Sequence, residues 1–543
     1  MANPQPTRLP RLLDATIDDL AKGLRDGLFT SEDLMRTYMA RILEVNADLK
    51  AVREINPRAL FAARELDTAR RQGILHGPLH GIPVLVKDNI WTHDGTQTTA
   101  GSFAMYGARS PREATVVRKL RKAGAIILGK TNMCQWSDWP CPKEPWRHDL
   151  KNVGWSATGG QTMAAYISDQ SPSGSSGGSA VATSIGLATA SLGTDTKGDI
   201  ICPSEYNNIV GIKPTFGLTS AEWIIPFSTF HDTVGPMART VKDAAYILSA
   251  IAGSDPDDLI PLDLPFATIP NYVGACRPWG LIGKRIGVPR DFINLYAEGD
   301  ADCRISVQPS LLEFERALDV MRSVGATVID SIPVTGFSFL AESMQMGRSS
   351  IHIDFKKDIE DHFKLLELNP QKLSSLVDLI IHTMNNSLED HPDRNIGAWD
   401  LALYDFTCDP GLDGKRDQEH RKIGNAGMRR AMYNHELDAL VLPSSISGRI
   451  PAIIGSPVIT VPLGRMSEDT EMVTAPGGLV HIGPGRPIGI AFWGRKWSEE
   501  KLIEMAYSFE QFTKVRQQVL PLVVPTTELM HTFVPRGNGL LRS

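Results

Sequence analysis

One lysine stands inside a segment that otherwise has the pattern of a buried β-strand. Lys87 lies within the apolar, β-rich run 82–90 and is followed by Asp88. Burying an ammonium group costs free energy and lowers its pKa, and a lysine with a lowered pKa can act as a base near neutral pH. A lysine that reaches solvent from the strand end, or pairs with Asp88, explains the pattern equally well. Lys87 is therefore a candidate general base.

Small hydroxyl residues and glycines are concentrated in the middle of the first half of the chain. They fill the segment 171–180, which holds the paired serines Ser175 and Ser176, and recur at 193–199. Hydroxyls can relay protons, and glycine-rich backbone can present N–H groups to an oxyanion. A flexible loop has a similar composition, but the embedded apolar run 180–192 favours a tightly packed centre in which backbones approach closely. These segments are candidates for a catalytic centre.

Two other patterns carry no chemistry. The segment 124–131 matches the phosphate-loop pattern, but its middle residues, Ala-Ile-Ile-Leu, have the pattern of a buried strand. A phosphate loop needs an open turn there, at the start of a helix. The 13 histidines form no H-E-x-x-H motif, and no C-x-x-C occurs. We therefore expect no nucleotide, no metal and no cofactor.

The elements that must position these residues alternate between helix and strand. Two amphipathic helices are predicted in the first seventy residues, one after the cap-like Thr16 and one after Thr30. A helix over 113–123 leads into a strand over 125–128, and strand signals return near the C-terminus before a last helix. The later strands are predicted at 439–442, 458–461 and 488–492, and the last helix at 498–511. Such alternation is typical of a parallel or mixed sheet covered on both faces.

The charge and composition of the chain restrict the kinds of molecule that it can bind. The 543 residues include 56 Lys and Arg against 62 Asp and Glu, a formal charge of −6, without a basic run that could follow phosphates. No stretch reaches the roughly 18 apolar residues of a membrane span, and residues 1–10 lack the apolar core of a secretory signal. The six cysteines are too scattered for a disulfide framework. We expect a cytoplasmic protein with a small-molecule substrate, no nucleic-acid or membrane partner, and a homodimer as one possible assembly.

Several of these motifs together resemble the amidase signature family. The resemblance runs through 77–89, 129–132, the serine-glycine segment 171–180, 232–239 and 489–495, whereas the middle, roughly 256–430, matches little. The segments 154–162 and 201–203 are most similar to a peptide-amidase-like branch that is common in fungi and some bacteria.

The resemblance implies a relay of two serines and a lysine that hydrolyses amides through an acyl-enzyme. Lys87 corresponds to the base and Ser175 to the bridging serine, which follows a cis peptide bond in the family. The family's nucleophilic serine lies twenty-four positions further on, where this chain has Asp199. The oxyanion hole is expected from the N–H groups of 196–199. Thr196, Lys197, Gly198 and Ser176 are thus the predicted oxyanion or substrate-binding residues.

The aspartate predicts a change of activity. A carboxylate is a weak nucleophile towards an amide, and its charge opposes a developing oxyanion. Lys197 also departs from the family pattern, which usually has Gly or Asp there. Loss of such a nucleophile commonly removes several powers of ten in rate. We expect serine-based hydrolysis to be absent or strongly reduced, with Lys87, Ser175 and Asp199 used for cyclisation, isomerisation or elimination beside a carbonyl.

Three alternatives remain. The chain could be an amide hydrolase or acyl transferase that uses another nucleophile, namely Ser175, Ser176 or Cys202. It could be a catalytically inactive binding protein with an amidase fold. The nucleophile could also have been altered experimentally, although inactivating substitutions usually introduce alanine.

The resemblance also implies the architecture, an α/β fold with a large, mixed, twisted β-sheet between helical layers. We expect residues 1–75 to form an N-terminal helical layer, 76–255 the signature core and 256–435 a variable helical cap. Residues 436–543 are expected to return to the core sheet.

Overall fold

The first helices begin where their capping residues predict. The computed structural model describes residues 9–138, 152–254, 264–297, 307–340, 351–404, 410–475 and 477–532. Helix α1 (Ile17–Arg25) starts at Thr16, whose hydroxyl accepts from the Asp19 N–H while the Asp19 carboxylate accepts from the Thr16 N–H. Thr30 and Asp33 form the same reciprocal cap at the start of α2 (Ser31–Leu49).

One large mixed sheet forms the centre of the fold. In the described part of the chain it has eleven strands, with both parallel and antiparallel pairs. Their order across the sheet is β1 (Val52–Ile55), β3 (Ile126–Thr131), β2 (Pro83–Lys87), β6 (Ala190–Asp195), β8 (Thr233–Ala238), β7 (Val210–Lys213), β12 (Val458–Arg465), β15 (Pro487–Trp493), β11 (Ala439–Pro443), β9 (Arg285–Gly287) and β10 (Thr327–Ile329). Two small hairpins lie outside this sheet, namely β4 (Trp155–Ser156) with β5 (Gly160–Gln161) and β13 (Val473–Thr474) with β14 (Val480–Ile482).

Helices cover the sheet on both faces, so the predicted α/β sandwich is confirmed. Besides α1 and α2, the described α-helices are α3 (Ala59–Arg71), α4 (Thr115–Lys122), α5 (Gly177–Ser184), α6 (Ile201–Tyr206), α7 (Val241–Ile251), α8 (Arg290–Ala297), α9 (Gln308–Ser323), α10 (Ile351–Leu365), α11 (Leu376–Asn385), α12 (Gly397–Tyr404), α13 (Pro410–Asn434), α14 (Arg449–Ile454), α15 (Glu499–Thr513) and α16 (Leu529–Thr532). Helix α5 packs beside α6, and α7 packs beside both α4 and α15. No helix among these described segments is long and apolar enough to cross a membrane.

The middle of the chain contributes more than a helical cap. Within 256–435, strands β9 and β10 pair in parallel with each other, and β9 pairs with β11, so this region extends the main sheet at one edge. Both strands have only three residues, which is too short for alternation of apolar and polar residues to be recognised in the sequence. The division into four regions stays a prediction.

The centre of the sheet places two strand ends side by side. Strand β2 is parallel to β3 on one side and to β6 on the other, with Val86 opposite Leu192. Every residue of β2, β3 and β6 is buried. The phosphate-loop look-alike at 124–131 lies largely in β3, which explains why its glycine and lysine form no loop. Because β2 and β6 run in the same direction, Lys87 and Thr194 end at one edge of the sheet.

Candidate functional site

Lys87, at the end of β2, is completely buried and has three hydrogen-bond acceptors around its ammonium group. Lys87 Nζ lies 2.7 Å from Ser175 Oγ, 2.9 Å from Thr194 Oγ1 and 3.3 Å from Thr194 O. Three acceptors match the three protons of an ammonium group. A neutral amine would instead accept a proton from one of the hydroxyls. Ser175 and Thr194 therefore form the immediate surroundings of Lys87.

Ser175 lies just before α5, and the peptide bond that joins it to Gly174 is cis. The site thus contains the cis bond that the family resemblance implies. Its side chain is almost fully buried, and its hydroxyl faces Lys87 Nζ. Its backbone N–H points in another direction and donates to Asp199 Oδ1 over 2.9 Å. Ser175 therefore links the lysine to the aspartate through two different groups.

Asp199 belongs to the loop that joins β6 to α6, and backbone N–H groups surround its carboxylate. The N–H groups of Thr196 and Lys197 donate to Oδ2 over 3.0 and 2.9 Å, and the Ser175 N–H donates to Oδ1. Convergent N–H groups of this kind stabilise negative charge. The side chain of Asp199 thereby occupies two of the backbone donors that were predicted to form an oxyanion hole.

Burial and charge affect the lysine and the aspartate in different ways. Burial lowers the pKa of Lys87 from its ordinary value, and the charge of Asp199 opposes this shift. Burial alone would raise the pKa of Asp199, but the Lys87 charge and the N–H donors of Lys197 and Thr196 outweigh it and hold the pKa below its usual value. Asp199 is thus a carboxylate at neutral pH, and Lys87 gives up its proton more readily than an exposed lysine.

Two further carboxylates, which the sequence did not single out, hold the same loop. Asp195 accepts from the N–H groups of Gly198 and Ile200, each over 2.8 Å. Asp232 accepts the Thr196 hydroxyl proton at Oδ1 over 2.6 Å, and its Oδ2 accepts from two N–H groups of a neighbouring loop. The loop geometry that presents the N–H groups to Asp199 therefore depends on both side chains. Asp195 lies within the segment 193–199, but nothing local in the sequence connects Asp232 to Thr196.

The protonation of Asp232 makes stability depend on pH. Burial raises its pKa to about 7, so the folded protein keeps this proton to higher pH than the unfolded chain does. The free energy of unfolding should therefore fall as pH rises from about 4 to about 7, and this contribution should then level off. Asp232→Asn should remove this pH-dependent contribution to the free energy of unfolding. We expect the difference in unfolding free energy between wild type and variant to change by about 2–4 kcal/mol across that window.

Denaturant unfolding at several pH values checks this expectation. Asp469→Asn is a suitable control, because Asp469 is an exposed carboxylate whose pKa is lowered by a hydrogen bond from Ser467. Parallel stability curves for wild type and Asp232→Asn would contradict the assignment.

The other predicted site residues have different roles in the hydrogen-bond network. The Ser176 hydroxyl donates to Thr194 O over 3.1 Å and has no bond to Lys87. The N–H of Gly198 donates to Asp195 rather than to Asp199, and the expected place of Gly198 among the oxyanion donors stays a prediction. Burial raises the pKa of the Cys202 thiol, and Glu205 raises it further, so Cys202 is poorly suited to form a thiolate.

Asn89 is another residue of the site that the sequence did not single out. Its Nδ2 donates to Thr194 Oγ1 over 3.1 Å, next to Lys87 Nζ. The available signal was its position in the segment 77–89, two residues after Lys87. Among the residues that the structure describes, no group of three or more His, Cys, Asp or Glu side chains could hold a metal ion.

This arrangement can move a proton between Ser175 and Lys87. With Asp199 ionised in the place described above, the N–H groups of Thr196 and Lys197 are already bound to an anion. A second anion at the same N–H groups would first have to displace the carboxylate. The roles of Lys87, Ser175 and Asp199 in catalysis stay predictions.

Comparisons with known proteins agree with the motifs and the fold. The Amidase family model matches residues 33–452. A putative amidase of Arthroderma benhamiae is 43% identical over 97% of this chain and 90% of its own length, and a probable amidase of Arabidopsis thaliana is 34% identical over 93% and 91%. The X-ray structure of peptide amidase from Stenotrophomonas maltophilia superposes with a TM-score of 0.79 at 36% identity, covering 95% of this chain and 99% of that one. This chain therefore belongs to the amidase signature family.

Proposed function

We propose that the chain is an enzyme that acts on a small amide- or carbonyl-containing molecule by acid-base chemistry. The reaction would be a cyclisation, an isomerisation or an elimination beside the carbonyl. Lys87 and Ser175 would transfer the proton, and hydrolysis through residue 199 would be lost or strongly reduced. The similarity to amidases supports an amide- or carbonyl-containing substrate. The aspartate at position 199, where the family has its nucleophilic serine, supports the change from hydrolysis to another reaction.

The observation that carries the proposal is the position of the Asp199 carboxylate. Its Oδ2 accepts from the N–H groups of Thr196 and Lys197, the donors that the family resemblance assigns to the oxyanion. Acyl transfer to a serine develops negative charge on the carbonyl oxygen, and losing one oxyanion donor typically costs about 10²–10³ in rate. With both donors bound to a carboxylate, the site is poorly suited to a tetrahedral intermediate. Proton abstraction beside a carbonyl also places negative charge on the carbonyl oxygen, so in the proposed reaction other donors would have to stabilise that charge.

The proton route follows from the hydrogen bond between the Ser175 hydroxyl and Lys87 Nζ. Neutral Lys87 Nζ accepts the hydroxyl proton of Ser175 over 2.7 Å while Ser175 Oγ takes a proton from the carbon beside the substrate carbonyl. The electron pair that this carbon releases forms the enolate, and Lys87 then returns its proton through Ser175 to another atom of the substrate. The proton count is unchanged at the end, so no co-reactant is required. Asp199 favours the protonated form of Lys87 between the two steps.

Amide hydrolysis or acyl transfer with Ser175 as the nucleophile is the second candidate. The short contact between Ser175 Oγ and Lys87 Nζ favours it, because a base within hydrogen-bond reach is what activates a serine. Ser176 lacks this contact, and the raised thiol pKa disfavours Cys202. In the third candidate, a binding protein without turnover, the same site would hold the molecule unchanged.

One assay separates the three candidates. Purified wild-type protein is incubated with a panel of small peptide amides, aryl amides, esters and ketones in isotopically labelled water, and the products are identified by mass spectrometry. We expect rearranged or eliminated products without solvent oxygen in the carbonyl group, and no such products from Lys87→Met. Solvent oxygen in a carboxylate product would favour the hydrolase. Binding in titration calorimetry without any conversion would favour the binding protein.

We also propose a homodimer as one possible assembly and a cytoplasmic location, as the sequence predicts. Sedimentation velocity at several protein concentrations tests the first, and fluorescence microscopy of the tagged full-length chain tests the second.

A further inference from the structure

A cavity of about 250 Å³ lies at the edge of the sheet opposite to Lys87. Arg239, which lines it, follows β8, whose last residue Ala238 pairs with Ala190 at the start of β6. Thr194, which contacts Lys87, lies four residues further along β6, roughly 13 Å from Ala190 by the rise of a strand. The volume is near the lower end of the range of ligand pockets, about 300–1,000 Å³, and suits a small molecule. The cavity is therefore separate from the candidate active site.

Arg516 also lines this cavity, and much of its hydrogen-bonding capacity is unused. Its side chain is only 14% exposed. Among the described residues, Nη2 donates to Ser184 O over 2.7 Å, Nη1 donates no hydrogen bond and the buried Nε has no partner. Asp14 Oδ1 lies 3.9 Å from Nη1, too far for a hydrogen bond, and the Asp14 side chain is half exposed. Arg516 thus keeps N–H donors available for a further acceptor.

Arg239 adds a second guanidinium group to the same wall of the cavity. It is buried, and its Nη1 and Nη2 donate to the carbonyl oxygens of Thr183, Ala188 and Ala15. Its buried Nε has no hydrogen-bond partner within the described segments. Burial lowers the pKa of Arg516, and the charge of Arg239 lowers it further. An anion near both groups would offset the repulsion between them.

The acids that line the cavity offset little of this positive charge. Burial raises the pKa of Glu510 to about 8, so this side chain carries its proton at neutral pH. Asp14 is then the one ionised acid among the described lining residues. Three lining residues are cations, namely Arg239, Arg516 and Lys514. The wall of the cavity therefore has a net positive charge at neutral pH.

We propose that this cavity binds a small monocarboxylate with an apolar body. The carboxylate would accept from Arg516, because the paired N–H donors of a guanidinium match the two oxygens of a carboxylate. Val461, Pro462 and Val515 also line the cavity and would contact the apolar part of the ligand. Inorganic phosphate would leave this apolar surface uncovered, which favours the carboxylate. The inference does not rest on the proposed function, because the two sites lie at opposite edges of the sheet.

Binding to the full-length chain tests the inference. Titration calorimetry measures the affinity of the wild type for benzoate and 3-phenylpropionate, each against its neutral alcohol, and for inorganic phosphate. We expect at least one carboxylate to bind about tenfold or more tightly than its alcohol and than phosphate. Arg516→Met should reduce the preference over the alcohol to about twofold or less. Arg516→Lys should retain part of it, because it keeps the charge but not the paired donors.

Gln517→Trp tests the cavity without changing a charge. Gln517 lines the cavity and is exposed, so a tryptophan there should fill the space from the solvent side. We expect it to weaken carboxylate binding about tenfold or more. Melting temperatures establish that each variant is folded, and this exposed substitution keeps the test decisive if Arg516→Met does not fold.

Two control variants should leave carboxylate binding unchanged. Arg495→Met removes an exposed arginine outside the cavity, and Lys87→Met alters the candidate active site. Equal affinities of the wild type for carboxylates and alcohols, or no binding of either carboxylate, would overturn the proposal. Carboxylate binding that persists in Gln517→Trp or is lost in Lys87→Met would overturn it as well, because the ligand would then bind elsewhere. Phosphate that binds as tightly as the better carboxylate would overturn the assignment of the ligand.

Discussion

Asp199→Ser is expected to turn the protein into a hydrolase of small primary amides, at a rate about 10²-fold or more above that of the wild type. The substitution removes the carboxylate that accepts the Thr196 and Lys197 N–H groups, so these donors become available to an oxyanion. It also places a hydroxyl at the position from which the family's nucleophile would act. Ser175 and Lys87 are already in hydrogen-bond contact and need no rearrangement to accept its proton. Both changes act on the transition state, which explains the size of the expected effect.

The measurement is a steady-state assay of ammonia release from small peptide amides and aryl amides, with wild type and variant side by side. Asp199→Ala is the matched control, because it also frees the N–H groups but supplies no hydroxyl. We expect Asp199→Ala to remain near the wild-type rate. If it gains as much activity as Asp199→Ser, the nucleophile is another residue, and Ser175 is the first to test. Equal rates for wild type and Asp199→Ser would contradict the role assigned to Asp199.

Lys87→Met, introduced into the Asp199→Ser protein, is expected to lower the rate of amide hydrolysis by about 10²–10⁴-fold, the contribution typical of a general base. The ammonium group of Lys87 has no partner other than Ser175 and Thr194 among the described residues, so its loss removes the only base in contact with the Ser175 hydroxyl there. The substitution keeps the length and the apolar part of the side chain. Effects of groups that act together are not additive, so this double variant should be no slower than wild type.

Lys130→Met provides the comparison for this second experiment. Lys130 is equally buried on the neighbouring strand, burial lowers its pKa to about 8, and it donates to Thr98 and Ile90 rather than to Ser175. Its substitution in the same background therefore removes a buried ammonium group without touching the base. A rate loss as large as that of Lys87→Met, at an unchanged melting temperature, would show that the effect is not specific to Lys87.

The pH profile adds a second readout for the same lysine. In the wild type, Asp199 opposes the effect of burial on the Lys87 pKa, so Asp199→Ser should lower that pKa further. Because the base must be neutral to accept a proton, the rate of Asp199→Ser should rise with pH and reach its plateau once pH exceeds the Lys87 pKa. The residual rate of the double variant should lack this rise. A profile that is identical with and without Lys87 would contradict the assignment.

Local patterns in the sequence determined the elements and the candidate residues. Thr16 and Thr30 mark the starts of α1 and α2, because a capping hydroxyl and the acid three residues later lie within one turn of helix. The apolar run around Lys87 predicted a strand but left open whether the lysine is buried, and in β2 it is buried. Motif resemblance added the family, which the comparisons confirm. Each of these signals depends on residues that are neighbours along the chain.

The tertiary structure alone decided where the hydrogen bonds of the site go. Asp199 could have faced Lys87, solvent or backbone, and its surroundings in the folded chain direct it to the N–H groups of Thr196 and Lys197. Asp232 bonds to Thr196 across 36 positions. Gly448 meets Gly198 across a much longer stretch of chain. Sequence patterns report periodicity and capping, which are local, whereas a buried polar group takes its partner from whatever the packed chain brings within about 3 Å.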